Sequence, residues 1–71
     1  MDMNLISVGH WEICWINPAN IAFIEQPEGA GGADTVYFTI HFAGGETKKL
    51  FYPDMEEGWN AHRRLIEKVK E

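Results

Sequence analysis

Positive charge is missing from most of this chain. No Lys or Arg occurs in residues 1–47, where six acids stand: Asp2, Glu12, Glu25, Glu28, Asp34 and Glu46. The six basic residues (Lys48, Lys49, Arg63, Arg64, Lys68 and Lys70) all follow, mixed with five more acids, and the net charge is −5. Proteins hold nucleic acid mainly by neutralising phosphates with Lys and Arg. The acidic part of this chain would repel phosphate, and only the mixed-sign end could approach it. Nucleic acid is therefore a disfavoured partner.

Cysteine and serine are scarce as well. The lone Cys14 excludes an internal disulfide framework and points to a reducing, cytoplasmic setting. Ser7 is the one serine, and nothing around it resembles a nucleophile elbow. No apolar run reaches the roughly 18 residues of a membrane span. No basic start followed by an apolar segment resembles a signal peptide. At 71 residues the expectation is one domain, with a core that is marginal on its own.

Apolar side chains, by contrast, are plentiful at 45% of residues, with three Trp, two Tyr and four Phe. Their spacing predicts strands at about 4–8, 11–16, 21–26, 35–42 and 47–52 and a helix at about 54–70. Alternation in Trp11-Glu12-Ile13-Cys14-Trp15-Ile16 puts Trp11, Ile13 and Trp15 on one strand face. Asn17-Pro18-Ala19-Asn20 interrupts the apolar run. Pro cannot donate to a ladder, and the flanking Asn side chains cap turns, so this stretch predicts a tight turn or one 3₁₀ turn. Residues 27–34, rich in Gly, predict a flexible loop. That loop lacks the Gly-Lys-Ser/Thr ending of a phosphate cradle and leads into a strand.

Gly44-Gly45 between two strand-like runs predicts a two-residue hairpin loop. Tyr37 would then pair with Tyr52, Phe38 with Phe51 and His41 with Lys48. One face would carry Val36, Phe38, Ile40, Phe42 and Phe51; the other would carry Tyr37, Thr39, His41, Leu50 and Tyr52. A longer loop would exchange the faces of one strand. Asp54 followed by Glu57 reads as a capping box. Met55, Trp59, His62, Leu65, Ile66 and Val69 form one apolar helical stripe. Gly58 within it either permits close approach to the sheet or frays the first turn.

Few residues suggest chemistry. His10, Glu12 and Cys14 alternate, so they could share a face on the expected strand, with neighbouring same-face positions about 6.6 Å apart. A zinc site needs a closing ligand, and only His41 offers one at an unknown distance. Cys14 as a nucleophile needs an activating His that no local pattern supplies. His62 reads as a packed histidine. No metal, cofactor or catalytic residue is expected, and the chain does not read as an enzyme. Trp11, Trp15 and Trp59 are expected first as core anchors, with an aromatic-walled pocket or contact patch as the alternative.

Ile16-Asn17-Pro18, Ile21, Phe23-Ile24-Glu25, a Gly-containing hairpin and a C-terminal helix together resemble the small bacterial flagellar, swarming-motility type (FlbD-like) proteins over about residues 11–52. The resemblance implies a compact β-rich regulatory or interaction protein without an assigned active site. The Gly-rich loop, longer helix and Trp content depart from that pattern. A stand-alone bacterial or mobile-element protein fits the same features.

The expected fold is α+β: an antiparallel sheet of four to five strands with one C-terminal helix packed on a face. One helix covers one sheet face, and both faces look at least half apolar. The expected function is a small non-enzymatic interaction protein that associates with itself, as a homodimer or higher, or with another protein. The alternative is a small-molecule binding module with a Trp/Tyr-lined pocket. Trp11, Trp15, Tyr37, Leu50 and Tyr52 are the candidate contacts for either.

Overall fold

A computed structural model describes residues 5–31 and 34–70. Six strands and one helix follow in chain order: β1 (Ile6–Val8), β2 (Cys14–Ile16), β3 (Ile21–Ile24), β4 (Glu28–Gly29), β5 (Val36–Phe42), β6 (Thr47–Tyr52) and α1 (Met55–Lys70). The fold is α+β, with antiparallel sheets and a C-terminal helix. The strands form two sheets rather than one. β1 and β2 make a two-stranded hairpin. In the four-stranded sheet β5 is central, flanked by β6 on one side and by β3 and β4 on the other.

The expected turn at Asn17 is a 3₁₀ turn over Pro18–Asn20. Asn17 Oδ1 accepts from the Ala19 amide at 3.0 Å, and its carbonyl accepts from Asn20 at 2.9 Å. The strand expected over 11–16 starts only at Cys14. Gly9 takes φ +111°, and a Cβ there would collide with the Glu12 carbonyl, so residues 9–13 form a tight loop at the hairpin tip. The loop expected at 27–34 begins later than read. Pro27 is buried, and Glu28 and Gly29 pair with Tyr37 and Val36. Residues 32 and 33 of that stretch lie outside the described residues.

The β5–β6 register corrects the two-residue loop. Val36 pairs with Tyr52, Tyr37 with Phe51, Phe38 with Leu50 and His41 with Thr47. The Phe42 amide bonds the Glu46 carbonyl at 2.8 Å, and Gly45 turns at φ +95°. The loop is thus Ala43-Gly44-Gly45, a three-residue hairpin with glycine in the left-handed position. The slip of one residue moves Leu50 and Tyr52 from the outer face into the core and Phe51 outward.

The core lies between the four-stranded sheet, α1 and the β1–β2 hairpin. Val36, Phe38, Ile40, Leu50 and Tyr52 come from the sheet, Ile16 from β2 and Leu65 from α1. α1 starts at an Asp54 cap, whose Oδ1 accepts from the Glu57 amide at 2.8 Å. Its buried line is Gly58, His62 and Leu65, with Ala61 packed beside it. Met55, Trp59 and Val69 of the expected stripe are exposed instead. The cause is Gly58: a Cβ there would lie 2.7 Å from Val36 Cγ2 and 3.6 Å from Pro27 Cβ. The bare backbone lets the helix settle on this line, and Trp59 is left on its flank, edge-on to His62.

Candidate functional site

All three Trp lie exposed, which overturns core anchoring. In the β1–β2 hairpin, Ile6, Val8, Cys14 and Ile16 face the core. The opposite face carries Ser7 and its partner Trp15, which is 66% exposed. Alternation alone marks the Trp-bearing face as distinct; it does not say which face the rest of the chain will cover. Trp11 sits in the tip loop at 60% exposure. It shares a shallow depression with Lys48, Lys49 and Phe51 at the β6 edge.

The outer face of the four-stranded sheet is built in three rows. Glu28, Tyr37 and Phe51 form the first row across β4, β5 and β6. Glu25, Thr39 and Lys49 form the second, with the Glu25 amide bonding the Thr39 carbonyl at 2.9 Å. Phe23, His41 and Thr47 form the third. Phe23 belongs here because β3 bulges between Ile21 and Phe23. The extra residue, Ala22, re-aims the chain, so Ile21 packs toward the core while Phe23 turns outward.

These rows are cross-linked by side chains. His41 Nε2 meets Glu25 Oε2 at 2.5 Å, and its ring stacks on Phe23. The Tyr37 hydroxyl donates to Glu28 Oε1 at 2.8 Å, which holds the phenol above its ordinary pKa of 10.0. Lys49 Nζ lies 5.1 Å from the Tyr37 ring centroid, and Phe51 packs against the same ring. The face is therefore aromatic along its length, acidic on the β3–β4 side and basic on the β6 side. It is more polar than the half-apolar surface expected.

Of the sequence candidates, Trp11, Trp15 and Tyr37 reach the surface. Leu50 and Tyr52, 3% and 5% exposed, lie in the core layer. Burial is the first cause that raises the Tyr52 pKa above 10.0; a hydrogen bond from the Gly9 backbone opposes it. Phe23 and Phe51 take the missing places on the outer face, and the bulge and the register slip that put them there have no marker in the residues themselves. His10 and Glu12 are in the tip loop, so they do not share a strand face with Cys14, which packs against the core. Among the described residues no three His, Cys, Asp or Glu side chains gather as a metal ion would require. No described helix is long and apolar enough to cross a membrane. Compared with protein-family models, with curated proteins and with solved structures, the chain matches none.

Proposed function

We propose that this protein is a small non-enzymatic interaction protein that assembles with itself through the outer face of its four-stranded sheet. The observation that carries the reading is the face itself: exposed aromatics between an acidic flank and a basic flank. Phe23 is 57% exposed and Phe51 43%, and Trp11 of the tip loop, 60% exposed, borders the face at its β6 margin. At roughly 150–250 Å² per aromatic side chain, these three leave about 300 Å² of ring surface in water. The largest apolar patch of a soluble monomer is about this size and is often functional.

Charge selects a second copy as the occupant. A twofold axis running parallel to the strands lays the β3–β4 side of one copy over the β6 side of the other. Glu25 then faces the partner's Lys49, Phe23 the partner's Thr47 and Phe51 the partner's Glu28, while Tyr37 and His41 of the central strand lie at the axis. The resemblance to small flagellar-type proteins, which implies an interaction protein without an active site, agrees with this reading.

Light scattering behind size exclusion tests it. The expected mass at micromolar concentration is twice the 8.1 kDa of one chain. A mass of one chain that persists when the concentration is raised tenfold overturns the proposal.

A further inference from the structure

On the other side of the molecule, α1 and the β1–β2 hairpin border a cleft of about 290 Å³. Its floor is the core layer: Phe38, Leu50, Tyr52 and Leu65. Ile6 and Val8 of β1 line it as well. At one end stand Arg64 and Lys68, four residues apart and so about 6 Å apart along the helix axis. Both are exposed, and neither forms an ion pair among the described residues. Arg64 lies near enough to the Tyr52 phenol for its charge to favour the phenolate. Glu57 lines the other end, about 10 Å from Arg64 along the axis.

Two cations of one helix face thus border an apolar lining in a chain of net charge −5. We propose that this cleft is a binding site for a small apolar monocarboxylate, its body against the half-buried Ile6, Val8 and Ala61 and its carboxylate between Arg64 and Lys68. Ligand sites combine an apolar lining with a few placed polar groups, and paired cations give charge-assisted hydrogen bonds to a carboxylate. Glu57 repels a second carboxylate, which selects against diacids. At roughly 30 Å³ per non-hydrogen atom, the share of one water, the cleft takes about ten such atoms. The site is separate from the outer sheet face and stands or falls independently of self-association.

Octanoate is about that size and serves as the probe. Amide chemical shifts of the intact protein are followed during titration with octanoate, with octylamine and acetate as controls. The expected result is saturable octanoate binding with shifts centred on Tyr52, Ala61 and Leu65, and weaker binding of both controls. In Arg64→Gln/Lys68→Gln, with an otherwise unchanged spectrum, octanoate should bind about tenfold more weakly, as loss of a charge-assisted pair implies. Equal affinity in the double variant, octylamine binding as tight at the same amides, or shifts confined to Trp11 and Trp15 would each overturn the site.

Discussion

The imidazole of His41 lies flat on the ring of Phe23, 4.0 Å between centroids and 11° from parallel. Phe23 reaches this position only because of the bulge in β3. Its ring is more than half in water, so little of the chain's own packing depends on it. Phe23→Ala is therefore expected to leave the monomer fold intact while weakening self-association by about 1–3 kcal/mol, the range of an interface aromatic outside the strongest hot spots. Sedimentation equilibrium with a far-ultraviolet circular dichroism control measures both. An unchanged dimer constant would remove Phe23 from the interface.

Charge reversal tests the orientation of the pair. Lys49→Glu places like charges opposite Glu25 of the other copy and is expected to shift the population toward one chain. Glu25→Lys combined with Lys49→Glu restores opposite signs and is expected to recover the dimer. The recovery distinguishes this arrangement from one in which Lys49 matters only for its own Tyr37 ring. Added salt should also weaken the proposed dimer of the unaltered chain, because rim charges are screened.

Gly58→Ala sets helix propensity against packing. Alanine gains up to about 1 kcal/mol in a helix. Its methyl group would press on Val36, a β-branched residue buried in the sheet with little room to turn. Overpacking of a tight core costs about 1–3 kcal/mol. The net expectation is a loss of about 1 kcal/mol, seen as a fall in Tm of roughly 4–8 °C at fixed protein concentration. A rise in Tm would show that the helix has room to move away from the sheet.

His62 gives stability a pH dependence. Its ring packs edge-on to Phe38, and its Nε2 is buried without a hydrogen-bond partner among the described residues. Burial holds the pKa below 6.5, with the Glu25 backbone carbonyl opposing. The unfolded chain therefore takes up the proton first. The neutral ring contributes its full stability above pH 6.5, and that contribution is lost as pH falls from 6.5 through the lower folded value. Urea unfolding between pH 8 and 5 is expected to show falling stability over the acid part of the range. His62→Leu should flatten that slope, and a slope identical to the wild type would assign it to other groups.

The sequence marks its punctuation better than its faces. Asn17-Pro18, Asp54 with Glu57, and the β-branched run of β5 each act through their own backbone, so the 3₁₀ turn, the helix start and the central strand are legible from neighbours alone. The β5–β6 register is not. The Ala43 amide bonds the Asn20 carbonyl at 2.7 Å. That bond draws Ala43 toward β3 and out of the hairpin ladder, so the loop gains a residue for a reason that lies 23 positions away in the chain. The slip reverses Leu50, Phe51 and Tyr52 together and hides the candidate site. The Trp residues mislead for a related reason. Smaller residues on the other face of the hairpin fit the core better than the Trp15 indole would, and Trp11 falls in the tip loop.

β6 pairs with β5 on one side and presents its other edge at the margin of the sheet, with Lys48 and Lys49 near the middle of the strand. A molecule that joins copies by its faces must not also join them by its edges. Face-to-face pairing about a twofold axis is complete at two, and so is pairing of one β6 edge with another, but copies that used both contacts would chain on without end. Lysines on adjacent positions of an outermost strand meet their own kind whenever two such strands approach. In the proposed assembly Lys49 would thus serve twice, steering one copy onto another through the face and, with Lys48, keeping the edge unpaired.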